Sequence, residues 1–97
     1  MSKLFTPVQL GPLQLRNRTI RSAAFENMCV ANAPSPMLCD YHMSVARGGI
    51  GMTTVAYASI NRSGLSFDGQ LLLQPSIVPA LKALTGDIHT TGAKASI

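Results

Sequence analysis

The chain has 97 residues and a mass of 10.3 kDa, which allows one domain at most. Hydrophobic residues make up 46% of it and charged residues 12%, a composition too apolar for intrinsic disorder. The net charge of +4 comes from eight basic and four acidic residues, and only Arg16, Arg18 and Arg21 are clustered. Because no basic stripe is interleaved with aromatic residues, we expect no nucleic acid as a partner.

No targeting or membrane segment is predicted from the sequence. The apolar runs are far shorter than the roughly 18–20 residues of a membrane helix. The first residues show no apolar segment followed by a small-residue cleavage site. Two cysteines, Cys29 and Cys39, do not make a disulfide framework. We therefore expect a cytoplasmic protein with no membrane partner.

The first predicted elements are a hairpin and a strand. Apolar and polar residues alternate around Gly11-Pro12, which predicts a β-hairpin over residues 8–15. A strand is predicted over residues 18–24, where β-branched residues precede three small ones. Asparagine, serine and proline residues then predict a loop over residues 25–36.

The first helix is predicted over residues 36–47. Ser35 is placed as its N-cap and Pro36 at its first helical position. Gly48 is expected to end the helix with a positive φ. The glycines of Gly48–Gly51 follow a helix and precede a strand, whereas the glycines of phosphate loops lie between a strand and the following helix. We therefore expect these glycines to contact no phosphate.

The second half of the chain repeats the strand and helix pattern. The uncharged, β-branched run over residues 50–59 predicts a strand covered on both faces. A long loop over 61–76, a helix over 79–91 and the start of a strand at 94–97 follow. Strands that alternate with helices predict right-handed βαβ units and a parallel sheet. The predicted fold class is α/β, either a small open sheet or the first part of a larger barrel.

Small residues at two strand ends indicate a candidate ligand site. The first strand ends with Ser22, Ala23, Ala24 and Phe25, and the second with Ala56–Ala58. In parallel α/β folds this end of the sheet faces the ligand, and small side chains let a flat ligand approach the backbone. Close packing against a neighbouring element explains the small residues equally well. We expect the two ends to lie side by side.

Other chemistry-bearing residues do not form a recognisable pattern. His42 and His89 lack the spacing of a metal site, so no metal is predicted. Cys29 lies in a loop without a nearby histidine to support a nucleophile. Glu26, just past the first strand, is expected to pair with an arginine or with backbone donors.

Short motifs distributed over essentially the whole chain carry a family resemblance. They are Leu4–Pro7, Leu15–Arg18, Ile20–Ala23, Asp40-Tyr41, Ala46–Met52, Val55–Tyr57 and Gly92–Lys94. Their combination resembles the opening of the old yellow enzyme family, the FMN-dependent NAD(P)H:flavin oxidoreductases and ene-reductases. The resemblance implies the N-terminal portion of a (β/α)8 TIM barrel, with the hairpin closing the bottom of the barrel.

The resemblance also implies a cofactor and a reaction. FMN would lie over the C-terminal face of the barrel, and hydride would pass from NAD(P)H through flavin N5 to an activated alkene of the enone or dienoyl type. The segment from Ser22 to Phe25 would contact the flavin ring, and Tyr57 would contact it through its backbone. Asn27 falls where some relatives place a substrate-contacting residue. Relatives often carry Thr or Cys where Phe25 stands, and a phenyl ring cannot make their hydrogen bond to the flavin.

The remaining parts of such a barrel lie outside these 97 residues. In relatives, later strands carry the substrate-activating pair (His/Asn or His/His), the tyrosine proton donor and the phosphate site. A complete barrel needs roughly 200–250 residues. We therefore expect no catalytic residue in this chain, which alone would neither reduce an enone nor hold FMN tightly. The alternative is a non-catalytic truncated barrel that acts through self-association, as a homo-oligomer, or through docking to the missing barrel half.

Overall fold

The computed structural model describes residues 2–97 as a small α/β structure. Its elements are β1 (Val8–Leu10), β2 (Leu13–Leu15), β3 (Ile20–Arg21), α1 (Pro36–Arg47), β4 (Met52–Thr54), β5 (Ala58–Ser59), β6 (Leu71–Leu72), α2 (Val78–Thr90) and β7 (Lys94–Ser96). β1 and β2 form an antiparallel hairpin, and β3, β4 and β7 form a parallel sheet in that spatial order. β5 and β6 form a second parallel pair. No helix within residues 2–97 is long and apolar enough to cross a membrane.

The core lies where the two helices meet the parallel sheet. α1 packs on β4, α2 packs on β7, and the helices contact each other. Residues four apart share one face of a helix, and the buried residues of α1 (Leu38, His42 and Ala46) and of α2 (Leu84 and Ile88) follow this spacing. Burial of these apolar faces holds the helices against the sheet.

The two ends of α1 show how local sequence sets its length. Ser35 is the N-cap, and its Oγ accepts a hydrogen bond from the Leu38 N–H at 3.1 Å. Gly48 was expected to have a positive φ, and this is wrong, because its φ is −70°. Its N–H still donates to the Ser44 carbonyl, so the helical path continues through it. The left-handed turn comes one residue later, at Gly49 with a φ of +106°.

The strand predicted over residues 18–24 is much shorter in the structure. Only Ile20–Arg21 is regular, and residues 22–24 lie beyond the strand end. The physical reason is that an arginine side chain occupies a backbone carbonyl to which the next residues of β3 would otherwise donate. The Thr54 carbonyl of the neighbouring strand accepts a hydrogen bond from Arg21 Nη1 at 2.9 Å, so it is not paired with the backbone that follows β3.

The strand predicted over residues 50–59 is divided in two. β4 and β5 are separated by residues 55–57, where the peptide bond between Ala56 and Tyr57 is cis. Here too a side chain replaces a ladder partner, because the Ala56 N–H donates to Glu26 Oε1 at 3.2 Å. β5 then leaves the main sheet and pairs with β6.

The remaining predictions differ by smaller amounts. The loop predicted over 61–76 contains β6 and two short 3₁₀ turns, at Arg62–Gly64 and Pro75–Ile77. The helix predicted over 79–91 occupies Val78–Thr90, since proline is tolerated in the first helical turn. The strand expected at 94–97 ends at Ser96.

The N-terminal edge of the sheet is held by one arginine. Arg16 donates hydrogen bonds to the carbonyls of Ala46 at 2.7 Å, Ile50 at 3.0 Å and Thr91. Ala46 and Thr91 lie at the C-terminal ends of α1 and α2, where helix dipoles favour a cation. Arg16 therefore lies at the end of the sheet where the strands begin, and Arg21 lies at the end where β3 and β4 finish. The two arginines do not form a common basic surface.

Candidate functional site

The candidate site lies at the edge of the sheet where β3 and β4 end. The two strands are parallel, with Arg21 opposite Thr53, so the chain leaves both strands at the same edge. Phe25 and Tyr57 meet there in an edge-on arrangement with ring centroids 6.0 Å apart. The two predicted strand ends therefore lie side by side, as the sequence indicates.

The backbone after β3 is available to a ligand. Ser22, Ala23, Ala24 and Phe25 are all exposed, and none of their N–H groups donates to another residue within the described range 2–97. Backbone donors rarely remain without any partner when they are covered. Small side chains and free N–H groups let a planar, acceptor-bearing molecule approach closely. This donor set fits the edge of a flavin ring.

Tyr57 offers one backbone group to the same edge. Its carbonyl already accepts a hydrogen bond from the Leu71 N–H at 3.0 Å. Its own N–H donates to none of the described residues 2–97, so a ligand contact through the backbone would use this N–H. Tyr57 as a whole is 45% exposed.

Sequence reasoning missed a third aromatic residue, Phe67. Its ring lies 4.7 Å from that of Phe25 and 6.0 Å from that of Tyr57, centroid to centroid. The three rings form a cluster that remains open to solvent, with Phe25 60% exposed. The only sequence signal was an aromatic residue within an otherwise polar loop, which does not indicate what the ring contacts.

Asn27 lies beside the site and also supports its outer loop. Its φ is +53°, a conformation that asparagine tolerates better than most residues. A Cβ on Gly69 would lie 2.8 Å from the Asn27 carbonyl oxygen, so the two backbones touch. The Cys29 N–H donates to the Gly69 carbonyl at 3.1 Å. Asn27 is exposed, and it contacts the loop at Gly69, which the Cys29 hydrogen bond holds in place.

Glu26 joins the two strand ends beneath the exposed residues. Its side chain is 1% exposed, and the carboxylate forms an ion pair with Arg21 at 2.8 Å. It also accepts a hydrogen bond from the Ala56 N–H. The expectation that Glu26 pairs with an arginine or with backbone donors is confirmed on both counts. One side chain thus fixes the end of β3 relative to the residue before Tyr57.

His42 extends this buried network into α1. Its Nε2 lies 2.9 Å from Glu26 Oε2, and its Nδ1 lies 2.8 Å from Thr53 Oγ1. His42 and Thr53 are fully buried. The histidine therefore connects α1 to β4 and to the segment that follows β3. Within residues 2–97, no three His, Cys, Asp or Glu side chains are grouped as metal ligands would be.

Neither cysteine has the lowered thiol pKa that is typical of a nucleophile. Burial, and then the nearby Glu26 carboxylate, raises the pKa of the Cys29 thiol to about 11. Burial is also the main cause that raises the pKa of Cys39. Both thiols are protonated at neutral pH, and a thiol is a poor nucleophile compared with a thiolate.

The parallel strands, the leading hairpin and the open strand ends are those of an α/β-barrel oxidoreductase of the old yellow enzyme type. The chain belongs to the NADH:flavin oxidoreductase / NADH oxidase family, whose model matches residues 3–97. It is 41% identical over 93 residues to the 4,4'-dithiodibutanoate disulfide reductase of Rhodococcus erythropolis, which covers 96% of this chain. The chain spans 23% of the length of that relative.

Two solved structures show the same fold. A 2-naphthoyl-CoA reductase in complex with 2-naphthoyl-CoA matches with a TM-score of 0.89 at 25% identity, over 96% of this chain and 14% of that one. An old yellow enzyme from Pichia sp. AKU4542 matches with a TM-score of 0.86 at 16% identity, over 96% of this chain and 25% of that one. The fold is therefore part of a TIM barrel, and the barrel alternative of the sequence analysis is confirmed.

Proposed function

We propose that this chain provides the first two strand-end contacts to the flavin in an FMN-dependent NAD(P)H oxidoreductase that reduces activated alkenes of the enone or dienoyl type. Membership of the family supports the oxidoreductase class, the flavin and the nicotinamide reductant. The names of the two most informative relatives, a disulfide reductase and a 2-naphthoyl-CoA reductase, support a reductive reaction on a small molecule or a thioester.

The observation that carries the proposal is the uncovered backbone at the end of β3 beside Tyr57. Ser22, Ala23, Ala24 and Phe25 would contact the flavin ring along its edge, and Tyr57 would donate its N–H. Asn27 would face the substrate. When bound, FMN supplies the hydride-transfer chemistry, and these residues bind and orient it. Phe25 has no side-chain donor, so any hydrogen bond from this segment comes from the backbone.

The proposal is tested by titrating the ¹⁵N-labelled 97-residue chain with FMN and with lumiflavin, which lacks the ribityl phosphate. We expect weak binding that shifts the amides of residues 22–25 and 57 to a similar extent with both flavins, because the glycines at 48–51 lie at the opposite edge of the sheet. Shifts confined to any other region, or seen only with FMN through residues 48–51, would contradict the proposal.

A matched pair of variants sharpens this test. Ala23→Leu places a larger side chain on the exposed approach to the backbone, and we expect it to abolish the flavin shifts. Ala83→Leu makes the same change on the exposed face of α2 and should leave them intact. We expect neither the chain nor its variants to oxidise NAD(P)H with cyclohexenone, since no catalytic residue is assigned to it.

A second candidate function is a non-catalytic chain that acts through self-association or docking. The observation that favours it is the outer edge of the sheet at β7. Ile97 beside this strand is 57% exposed. An apolar groove of about 140 Å³ next to it is lined by Val55, Leu84 and Ala95, among others. A sheet edge with exposed apolar side chains is a template for pairing with another chain.

A further inference from the structure

The segment that joins β4 to β5 is held at each of its three residues. The outer two are fixed by backbone, because the Val55 N–H donates to β7 at 2.8 Å and the Tyr57 carbonyl accepts from β6 at 3.0 Å. The middle residue is fixed by a side chain, since the Ala56 N–H donates to Glu26 Oε1 at 3.2 Å. The place of the neighbouring Tyr57 N–H therefore depends on what holds the Glu26 carboxylate.

The orientation of that carboxylate is set by its neighbours. Rotation about the last bond of a glutamate side chain is broad and roughly twofold, so the torsion itself does not fix which oxygen meets which donor. Oε2 lies 2.8 Å from Arg21 Nη1 and 2.9 Å from His42 Nε2. Oε1, which accepts the Ala56 N–H, lies 3.1 Å from the same histidine nitrogen. Among these three partners, His42 is the one that contacts both oxygens.

Arg21 is held in place by contacts of its own. Its Nη1 donates to the Thr54 carbonyl at 2.9 Å, and its Nε donates to the Tyr41 hydroxyl at 3.3 Å. The guanidinium also lies over the Tyr41 ring, 4.8 Å from the ring centroid. Arg21 thus holds one carboxylate oxygen from a fixed place, and His42 determines how the other oxygen is turned toward Ala56.

The hydrogen bonds of His42 identify which ring nitrogen carries a proton. A neutral imidazole has one donor and one acceptor nitrogen, whereas a carboxylate only accepts. Nε2 therefore donates to Glu26, and Nδ1, 2.8 Å from Thr53 Oγ1, accepts the proton of that hydroxyl. The opposite tautomer would turn a nitrogen lone pair toward the carboxylate. It would also leave the Thr53 hydroxyl proton without an acceptor among residues 2–97.

A second proton on the ring would break the same arrangement. Both nitrogens would then donate, so the Thr53 hydroxyl proton would again lose its acceptor. Arg21 and a protonated His42 would outweigh the single negative charge of Glu26, in a cluster whose side chains are 15%, 0% and 1% exposed, respectively. An uncompensated buried charge is costly. The neutral Nε2–H form is the one in which all of these hydrogen bonds are made.

We propose that His42 is a positioning residue for the flavin-contact edge. As the neutral Nε2–H tautomer, it turns the Glu26 carboxylate so that Oε1 meets the Ala56 N–H, and it thereby sets the place of the Tyr57 N–H. Thr53, equally buried on β4, holds this tautomer through its hydroxyl. The inference rests on the proposed function, because the edge that His42 positions is the flavin contact proposed there.

The first test reads the ring protons of the unaltered 97-residue chain. Two-bond ¹H–¹⁵N NMR correlations near neutral pH distinguish the tautomers, since an unprotonated ring nitrogen resonates far downfield of a protonated one. Loss of the signals in a His42→Gln chain assigns them to His42. We expect the downfield signal at Nδ1 and the protonated one at Nε2. The reverse assignment, or two protonated nitrogens, would overturn the inference.

Two amide substitutions of different length separate the two hydrogen bonds of the ring. His42→Gln keeps a donor that reaches Glu26, whereas His42→Asn is one methylene shorter and reaches only toward Thr53. We expect lumiflavin to bind the His42→Gln chain within about twofold of the unaltered chain. It should bind the His42→Asn chain about tenfold more weakly, as the loss of one hydrogen bond to a charged group requires. The ¹⁵N amide signals of residues 56 and 57 should move in the His42→Asn chain and stay near their places in the His42→Gln chain.

The control for these variants is His89→Asn, which makes the same change at an exposed position of α2 and should leave lumiflavin binding intact. Equal weakening by His42→Gln and His42→Asn would show that the ring only fills space, and would overturn the inference. If either variant fails to fold, the ring signals of the unaltered chain still decide the tautomer on which the inference depends.

Thr53 is tested by its hydroxyl. Thr53→Val removes the hydroxyl at nearly unchanged volume, and we expect the His42 Nδ1 signal to move because this nitrogen loses its donor. Thr53→Ser keeps the hydroxyl and should leave the signal close to its original position. A signal that stays in place in the Thr53→Val chain would overturn the role given to Thr53.

The lumiflavin titration keeps the two proposals apart. Lumiflavin shifts at residues 22–25 and 57 that are equally strong in the His42→Gln and His42→Asn chains would leave the proposed function standing and overturn the inference. Absence of lumiflavin shifts in every chain would overturn the proposed function and, with it, the role of His42 beside a flavin, whatever its tautomer.

Discussion

Glu26 shows how one residue can determine the geometry of two strand ends. Its carboxylate meets Arg21 from β3, His42 from α1 and the Ala56 N–H after β4. A carboxylate this deeply buried is stabilised only while its partners compensate for lost hydration. The exposed residues that are proposed to contact the flavin therefore depend on a residue that no ligand would touch.

Replacing this carboxylate should be costly. Glu26→Gln keeps an acceptor for the Ala56 N–H but leaves the Arg21 guanidinium without its counter-ion, so we expect a loss of about 3 kcal/mol in the free energy of unfolding. Urea denaturation followed by circular dichroism measures it. Asp87→Asn, which neutralises an exposed carboxylate on α2, is the control and should change stability by less than about 0.5 kcal/mol. Equal stabilities of the two variants would show that the network contributes little.

Cys29 should react slowly and in a pH-dependent way. Its pKa is raised from 9.0 to about 11, so at pH 8 its thiolate fraction is about a hundredfold below that of an ordinary cysteine. We expect iodoacetamide to alkylate Cys29 in a Cys39→Ser chain about a hundredfold more slowly than in the same chain in urea. Because the folded pKa lies above the unfolded one, this thiol stabilises the fold below pH 9 and loses that contribution as pH rises toward 11. A rate close to that of the unfolded chain would contradict the pKa shift.

At the scale of elements, the end of the sheet where the strands begin depends on close contact between two backbone segments. Gly51 precedes β4 and lies against the segment after the hairpin. A Cβ there would lie 2.7 Å from the Asn17 carbonyl oxygen and 2.8 Å from that of Thr19. Backbone atoms cannot move away as the end of a flexible side chain can. The approach therefore requires glycine at this position.

Two glycine-to-alanine variants should shift stability in opposite directions. Gly51→Ala should destabilise the chain by roughly 2 kcal/mol, because backbone on both sides must move. Gly86→Ala lies within α2 with nothing within 4 Å of its Cβ, and should stabilise by up to about 1 kcal/mol through helix propensity. Thermal denaturation of both variants compares the signs. A stabilised Gly51→Ala chain would show that the edge can relax.

The sequence predicts the helices better than the strands, because helix ends depend on neighbouring residues whereas strand ends depend on distant partners. Ser35 caps α1, and Leu38 is the first of its regularly spaced buried residues. Both features depend on residues close in the sequence, so the start of α1 can be predicted from them. The strands were predicted too long because β-branched residues indicate extended backbone but not what pairs with it. The strands end early because Arg21 binds the Thr54 carbonyl and Glu26 binds the Ala56 N–H. These partners are distant in the sequence, so local patterns do not predict them.

The sequence predicted that the two strand ends of the candidate site lie side by side, but it did not predict every residue found near them. Small residues after two parallel strands locate the edge, because strand direction alone brings their ends together. The contacts of Phe67 could not be predicted, since they depend on how the loop that carries Phe67 packs against Asn27. The residue pattern alone left open whether the small residues bind a ligand or serve close packing. The family resemblance added the expectation of FMN.

At the scale of the whole molecule, the chain is 47 Å long and 22 Å across, and it carries apolar residues on its outer surfaces. They include Phe5, Ile20, Ile60, Val78 and Ile97. Water-exposed apolar groups near unpaired sheet edges favour association between chains. The two outer strands of the parallel sheet, β3 and β7, are such edges among the described residues 2–97.

Association should therefore depend on the β7 edge. We expect the sedimentation coefficient to rise with concentration, and Ile97→Lys to suppress this rise because a charge beside the edge opposes pairing. Val78→Lys is the matched control, since the two residues are 56% and 57% exposed but Val78 lies on α2. Suppression by both variants to the same degree would point to general hydrophobicity. A concentration-independent monomer would remove support for the second candidate function.

The arginine that holds the N-terminal edge has a consequence for the order of events during synthesis. The carbonyls that Arg16 binds lie 30, 34 and 75 residues further along the chain. As the polypeptide leaves the ribosome, the first two emerge with α1 or just after it, while the third emerges only after the whole of α2. The hairpin and α1 can therefore dock early, and closure of this edge waits for residue 91, because contacts that are distant in sequence form late. A nascent chain stalled before that residue would keep part of its Arg16 guanidinium in water.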